Sequence, residues 1–281
     1  EIKTISGKDY LYVRKRVLNK VTSTYVDVYS DKLYNILLRN NEEAKKLRRE
    51  IRKIDKALAS FGYKEGTLLS SVILARDFAR KNRNAIIYDQ VILEGIGTTF
   101  PETEAILEQG IIKNARAEDV QKILNLKRAW EFILDDDVLL AKTDFHLISY
   151  IAKIVNEGFF IFGGEVRGVP VKIGGSTYFP PIPLESKVKE DINALLSSSL
   201  NDVDTAIELC LYIMKTQIFN DGNKRTAVIA TNHYLVSKGI GFLAIAYDKV
   251  PAFREMLVNY YENKNINEIK NFLKSCIHLV D

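Results

Sequence analysis

The sequence contains little cysteine and little histidine. It has two cysteines, Cys210 and Cys276, and three histidines among its 281 residues. Both cysteines lie on apolar stripes with helical spacing, which is more typical of buried thiols in a reducing cytosol than of a disulfide framework. Three widely separated histidines do not indicate a histidine-based metal site. The sequence therefore predicts a cytoplasmic protein and disfavours the small disulfide-rich secreted class.

Signals for membranes and for nucleic acid are also missing. Charged residues interrupt every apolar stretch before it reaches the roughly 18 residues that a bilayer crossing needs. The start, Glu1-Ile2-Lys3, lacks the pattern of a signal peptide. A net charge of +4 is low for a nucleic-acid-binding protein of this length, although it is compatible with anionic ligands. We expect no membrane association, and nucleic acid is the least favoured partner.

The N-terminal region combines strand-like and helical patterns. Residues 8–30 are rich in β-branched and aromatic side chains, and Asn19-Lys20 fits a turn, so we predict a β-hairpin. Residues 41–58 predict an amphipathic helix. We interpret its basic residues as a solvated face, with a nucleic-acid stripe as the alternative, and its apolar seam also allows a homodimer. The seam contains Ala44, Leu47, Ile51, Ile54 and Leu58.

The rest of the chain is predicted to be helical, apart from one hairpin. Three or four helices are expected between residues 66 and 135, and further helices near 146–155, 185–199, 203–217, 224–238, 251–263 and 266–277. Alternating apolar residues, a Gly174-Gly175 turn and a stop at Pro180-Pro181 predict a β-hairpin at 169–181. The predicted fold class is mainly α, with regions 1–40, 41–135 and 136–281.

The chemistry is concentrated in residues 217–227, QIFNDGNKRTA, between two of these helices. A polar loop that contains glycine and leads into a helix presents free N–H groups and the positive end of the helix dipole to an anion. Lys224 and Arg225 add positive charge, Asp221 offers an oxygen ligand for Mg²⁺, and Asn223 can bridge through its amide. By itself the loop fits either a phosphate site or an ordinary solvated helix start.

This loop resembles the signature of the Fic/Doc (Fido) proteins, His-x-Phe-x-Asp/Glu-Gly-Asn-Gly/Lys-Arg. The residues that match it are Phe219, Asp221, Gly222, Asn223 and Arg225. Lys224, followed by Thr226 and Ala227, gives the form seen in the Doc branch. Residues 169–181 are similar to the flap of the family, and Glu94-Gly95 resembles the end of its preceding helical region. The resemblance extends over roughly residues 85–245.

The resemblance implies a Fido-type helical core that binds Mg-ATP. It implies that Asp221 holds Mg²⁺ and that Phe219 anchors the loop. The residues implied to bind the phosphates are Gly222, Asn223, Lys224 and Arg225. The flap would hold a segment of a target protein over the nucleotide, through Val171, Ile173, Gly174 and Gly175. Most of the family transfers AMP to a Ser, Thr or Tyr hydroxyl of the target, whereas resemblance to the Doc branch at Lys224 implies transfer of the terminal phosphoryl group.

The motif histidine, the general base of the family, is replaced by Gln217. Glutamine cannot take a proton at neutral pH, and the loss of a general base typically costs about 10²–10⁴-fold in rate. None of the three histidines is an obvious substitute. His233 lies roughly 15 Å along the second helix, while His146 and His278 are interpreted as packing or surface residues. The sequence therefore predicts either a weakened transferase or a pseudoenzyme that binds nucleotide or peptide to regulate a partner.

A second departure concerns the inhibitory helix of the family, whose Ser/Thr-x-x-x-Glu-Gly end obstructs ATP by pairing with a second Arg of the signature. Here Glu94 is present, but Gln90 stands at the Ser/Thr position and Val228 at the position of the second Arg. A carboxylate cannot form a charge-assisted pair with valine. The usual latch is therefore not expected, and Glu94 is predicted to cap a helix or to pair elsewhere.

Overall fold

The computed structural model describes residues 2–17, 20–60, 66, 68–110 and 115–280. Contacts divide the chain into two compact units, Glu1–Tyr63 and Lys64–Asp281. This division follows residue 63, whereas the sequence suggested boundaries after residues 40 and 135, which stay predictions.

The first unit contains a three-stranded antiparallel sheet and one long helix. The strands β1 (Ile2–Ile5), β2 (Lys8–Val17) and β3 (Lys20–Val28) pair in that order. The β2–β3 pair confirms the predicted hairpin, although residue 19 of its predicted turn lies outside the described residues. Strand β1 was not predicted, because four residues are too few to show an alternating pattern. Helix α1 (Asp31–Ser60) contains the predicted helix at 41–58 and begins ten residues before it.

The second unit is a helical body, which confirms the mainly α prediction. Its helices are α2 (Ser70–Leu93), α3 (Phe100–Glu104), α4 (Ala117–Ile133), α5 (Asp136–Leu140), α6 (Phe145–Val155), α7 (Glu185–Leu196), α8 (Asp202–Thr216), α9 (Asn223–Ser237), α10 (Val250–Tyr261) and α11 (Ile266–Ser275). A π-helical turn follows α3 at Ala105–Gln109, and two short strands, β4 (Gly241–Leu243) and β5 (Ile277–Leu279), pair antiparallel. Among the described residues, none of the helices combines the length and apolar character of a membrane span.

Helix α9 is the centre of this body. Every residue from 225 to 236 is buried, and the helix contacts α2, α4, α6, α8 and β4. A helix that is buried on all sides shows no amphipathic stripe, and its polar residues must find partners inside the protein. His233 does so through Val138 O, 2.9 Å from its Nε2, and Thr143 Oγ1, 2.8 Å from its Nδ1. Burial lowers the pKa of His233 to about 4, so it is a neutral structural residue.

The segment 169–181 follows the predicted path but lacks the predicted strand pairing in the structure. It turns at Gly175, whose φ is +78°, and only an isolated bridge between Val166 and Phe219 precedes it. Proline has no N–H to donate, and Arg167 bonds the carbonyls of Val169, Pro180 and Pro181 that a ladder would need. We call this segment the flap.

Asn232 joins α9 to the β4–β5 sheet, and its loss should destabilise the second unit. Its Oδ1 accepts from Leu243 N at 2.7 Å, and its Nδ2 donates to Leu243 O at 3.0 Å. Asn232→Ala leaves both backbone groups buried without these partners, so we expect a loss of about 2–4 kcal/mol in the free energy of unfolding. Urea denaturation followed by fluorescence of Trp130, the one tryptophan of the sequence, measures it.

The control is Asn193→Ala, on the exposed face of α7. This change should leave the midpoint unchanged or raise it slightly, because alanine is the better helix former. Equal midpoints for Asn232→Ala and Asn193→Ala would contradict the structural role of Asn232.

Candidate functional site

The loop between α8 and α9 is anchored by two buried apolar residues. Ile218 and Phe219 are both fully buried, and Phe219 forms the bridge with Val166. Before them, Gln217 ends α8 in the left-handed conformation, with a φ of +49°, and its N–H donates to Ile213 O. Phe219 was predicted to anchor the loop, and in the structure its side chain is buried in the core. It fixes where the following polar residues stand.

Asn223 shapes the polar part of the loop. Its Oδ1 accepts from Phe219 N at 2.9 Å, and its Nδ2 donates to Phe219 O at 2.8 Å. The side chain thus satisfies both backbone groups of a buried residue, which a loop cannot do by itself. The same Nδ2 lies 3.2 Å from Gln217 Oε1. In this structure Asn223 is an internal brace of the loop as well as a neighbour of Gln217.

Gly222 is required by space and by backbone conformation. Its φ is +71°, and a Cβ at this position would lie 2.7 Å from Asn156 Oδ1 and 2.9 Å from Val155 Cγ1. Asn156 holds the neighbouring residue by donating from Nδ2 to Asp221 O at 3.0 Å. Only glycine therefore allows the loop to approach α6 this closely and to start α9 here.

Arg225 carries a buried charge directly beneath the loop. Its side chain is 1% exposed. Nη1 donates to Val155 O at 3.2 Å, and Nη2 donates to Asp221 Oδ2 at 2.9 Å. Its own carbonyl accepts from Gln90 Nε2 at 3.0 Å, and Trp130 Nε1 donates to Gln90 Oε1 at 3.1 Å. Four segments, α2, α4, α6 and the loop, therefore meet around this residue.

Glu94, at the C-cap of α2, faces the same cations. Its Oε2 lies 3.1 Å from Arg225 Nε, and its Oε1 lies 3.9 Å from Lys224 Nζ. Neither Arg225 Nε nor Glu94 Oε1 has an aligned hydrogen bond among the described residues, so this is an ion pair of imperfect geometry. Glu94 thus caps a helix and pairs with Arg225, the first Arg of the loop, and not at position 228.

The side chain of Gln217 is turned towards the end of α8. Its Nε2 donates to Met214 O at 2.6 Å, while its Oε1 accepts from Asn223. A neutral amide held this way can orient its neighbours through hydrogen bonds but cannot remove a proton. Residue 217 therefore presents a fixed amide that cannot act as a base.

The loop borders a cleft of about 370 Å³. Its lining residues are Glu94, Val171, Lys172, Gln217, Asn220, Asp221, Gly222, Asn223 and Lys224. The structure thus brings together the predicted loop residues, Glu94 and Val171, with Arg225 beneath them. Ile173, Gly174 and Gly175 lie further along the flap and do not line the described cleft. A larger cavity, of about 510 Å³, lies beside the end of α2 and contains none of the loop residues.

Three residues that support the site were not found from the sequence as supports. Asn156 ties the loop to α6, Gln90 ties Arg225 to α4, and Arg167 ties the flap to Gln217. Each is an isolated polar residue that is distant from the loop in the sequence. Periodicity analysis reports apolar faces and gives no signal for such residues.

The donor set favours a phosphate-bound cation over a protein-only metal centre. Among the described residues no group of three His, Cys, Asp or Glu side chains could hold a metal ion. Asp221 supplies one half-exposed carboxylate, whose Oδ2 is paired with Arg225. Mg²⁺ typically binds through one or two carboxylates together with substrate phosphates, so a single Asp beside an anion cradle fits that ion.

Sequence comparisons relate the segment that contains this loop to a known family. Residues 142–235 match the sequence model of the Fic/DOC family. The protein adenylyltransferase Fic of Drosophila willistoni is 28% identical over an alignment of 162 residues that covers 54% of this chain and 32% of that relative. The chain therefore spans about a third of the length of that curated relative.

Solved structures share the fold. A Fic domain-containing signalling protein from Bacteroides thetaiotaomicron is 19% identical, with a TM-score of 0.58 over 79% of this chain and 91% of that chain. Fic-1 from C. elegans is 16% identical, with a TM-score of 0.60 over 88% of this chain and 74% of that chain. The segment that matches the family model, residues 142–235, contains α6, the flap, α8, the loop and most of α9. Residues 142–235 of this chain therefore form a Fic/Doc family domain.

Proposed function

We propose that this chain binds Mg-ATP in the cleft and belongs with proteins that transfer AMP, or a phosphoryl group, to a hydroxyl of a target protein. The observation that carries the proposal is the buried guanidinium of Arg225 at the start of α9. It lies below a loop whose conformation requires glycine at position 222. A helix N-terminus with fixed cations favours a phosphate group. The family of the domain and the adenylyltransferase relative support the same assignment.

The residues of the cleft fit both parts of the ligand. Lys224 and Arg225 would bind the phosphates, the backbone of Gly222 and Asn223 would approach them, and Asp221 would hold Mg²⁺. Bound ATP would supply either AMP, with release of pyrophosphate, or the terminal phosphoryl group, with release of ADP. Lys172, which lines the cleft from the flap, adds a further positive charge. Charges fixed in this way stabilise developing phosphate charge without reorganisation.

Activity of the chain as it stands should be low because of Gln217. Residue 217 offers no base for proton removal from the acceptor hydroxyl, because Gln217 carries only an amide held by Met214 O and Asn223. Positioning and electrostatics remain, so binding survives better than transfer. The alternative proposal is a pseudoenzyme in which the same cleft binds nucleotide or peptide to regulate a protein partner.

The flap supports the proposal of a protein partner. Val169 and Phe179 on its two arms are 55% and 66% exposed, and Ile182 and Leu184 continue the exposed apolar series towards α7. Exposed apolar side chains beside a cleft typically mark an interaction site. An extended segment of a target could bind along the flap and place a hydroxyl near residue 217.

Gln217→His should create transfer activity. Histidine tolerates a positive φ comparatively well, so the loop should keep its shape. With the base restored, we expect the rate of modification to rise by about 10²–10⁴-fold. Intact-mass spectrometry after incubation with Mg-ATP would show a gain of one AMP or one phosphoryl group, and the size of the gain identifies the transferred group.

Gln217→Asn is the control, because it keeps a neutral amide and adds no base; it should stay as inactive as the parent chain. Calorimetric titration with Mg-ATP is run on all three proteins. Rapid turnover by the parent chain would overturn the account of Gln217. A Gln217→His variant that binds Mg-ATP, does not modify itself and does not modify proteins of a lysate would favour the pseudoenzyme.

Glu94→Gln should tighten nucleotide binding. The Glu94 carboxylate faces the cations that the phosphates would use, and glutamine keeps its shape without the charge. We expect the Kd for Mg-ATP to fall about tenfold, which corresponds to about 1.4 kcal/mol. Glu118→Gln, on the exposed first turn of α4, is the matched control and should leave the Kd unchanged. Unchanged or weaker binding by Glu94→Gln would contradict competition at this site.

We also propose that the chain forms a homodimer through α1. Leu47 and Ile54, one heptad apart, are 51% and 57% exposed. With Leu33, Leu37 and Ala44 they fall on the a and d positions of a heptad pattern, separated by three, four or seven residues. A second copy carries the same seam and can cover it.

Replacing Leu47 and Ile54 together by serine should remove this association. Serine removes the apolar surface that a partner helix would bury, so we expect the double variant to sediment as a monomer of about 32.0 kDa. The parent chain should sediment at twice that mass. Lys46→Ser with Lys53→Ser, on the opposite face of the helix, should keep the dimer. A monomeric parent chain would contradict the proposal.

A further inference from the structure

Arg167 is a fully buried arginine without a carboxylate partner among the described residues. It is 1% exposed. Its Nε donates to Gln217 O at 2.5 Å, its Nη1 donates to Val169 O at 2.7 Å, and its Nη2 donates to Pro181 O at 2.6 Å. Longer contacts from Nη2 reach Pro180 O at 3.2 Å and Thr216 O at 3.5 Å. Every acceptor in this set is a main-chain carbonyl.

These carbonyls come from three places in the chain. Val169 begins the flap, Pro180 and Pro181 end it, and Thr216 and Gln217 form the end of α8. Because the nitrogens of one guanidinium are rigidly connected, their acceptors are held within a few ångströms of one another. One side chain thus closes the base of the flap and fixes it to the residue that stands at the base position of the signature.

Packing alone does not explain why a charged side chain is buried at position 167. Burial lowers the pKa of the Arg167 guanidinium, yet arginine keeps its proton in proteins, so a charge remains buried. Burying a charge is unfavourable unless hydrogen bonds and dipoles compensate it. The carbonyls at the C-terminal end of α8 provide the negative end of a helix dipole. An apolar residue of the same size would fill the space without this cost, but it could not set distances between three segments.

The far end of the flap is held separately. Glu262 Oε1 accepts from Thr177 N and Thr177 Oγ1, both at 3.0 Å, and from Ser176 Oγ at 3.3 Å. This contact ties the tip to the segment after α10 and leaves residue 217 untouched. Among the described side chains, Arg167 is the one that bonds both the flap and Gln217.

We infer that Arg167 is a positioning residue, which holds a target segment bound on the flap in register with residue 217 and the cleft. The inference rests on the proposed function, since it concerns how the target segment is aligned for that reaction. Val171 and Lys172 line the cleft together with Gln217, so a shift of the flap base would move the target relative to the phosphates. A misplacement of about 1 Å can cost roughly 10²-fold in rate.

The test compares Arg167→Lys with Glu262→Ala, each in the full chain and each also combined with Gln217→His. Lysine keeps the charge but cannot reach all these carbonyls from one ammonium group. Hydrogen exchange in the full chain should rise about tenfold at residues 169–182 and 217–219 in Arg167→Lys, and only near the flap tip in Glu262→Ala. Exchange in α9 should not change.

Activity supplies the second readout. In the Gln217→His background, Arg167→Lys should lower the modification rate about 10²-fold at saturating Mg-ATP while the KM for ATP stays the same. Arg167→Ala should regain part of the rate when free guanidinium is added, because the free cation can occupy the vacated space. Unchanged exchange in the flap, or a parallel rise of exchange in α8 and α9 with weaker ATP binding, would overturn the inference. If Gln217→His transfers nothing, the proposed function fails, and the exchange pattern alone decides whether Arg167 couples flap and loop.

Discussion

The site depends on the buried guanidinium of Arg225. Its nitrogens face Val155 O at the end of α6, Asp221 in the loop and Glu94 at the end of α2. A buried charge that loses one of its partners typically costs several kcal/mol, so these elements are held around it. The arrangement still contains one imperfect contact, the pair with Glu94, where hydrogen-bond alignment is missing. An incoming phosphate would compete at that contact, since Asp221 and Val155 O already bond the other two nitrogens.

Much of the helical body could be predicted from the sequence because burial on one face produces periodicity. Helices α6 and α8 were predicted for this reason, with boundaries close to those observed. Helix α9 is buried on all sides and has no stripe; its bounds came from the loop before it and Gly239 after it. The missing pairing of the flap could not be predicted, since it follows from bonds between Arg167 and distant carbonyls.

The candidate site, like the fold, could be predicted only in part from the sequence. The loop residues could be predicted because they are contiguous and match a signature. Asn156, Gln90 and Arg167 support the site from other segments, and an isolated polar residue has no period to recognise. For Glu94 the sequence excluded a partner at position 228, and it was the fold that supplied Arg225. Local patterns thus predicted most of the residues that line the cleft, but not that Ile173, Gly174 and Gly175 lie outside it. The contacts that hold the site required the packed structure.

The shape of the loop does not depend on the side chain at position 217. Asn223 braces the loop through the backbone of Phe219, and Gly222 sets its approach to α6, so neither support requires a particular side chain at 217. Arg167 bonds the main-chain carbonyl of Gln217, which any residue would offer. The loop can therefore keep its shape whether the residue here is a base or an amide. If the cleft binds nucleotide as proposed, a chain with Gln217 can bind it without transferring a group.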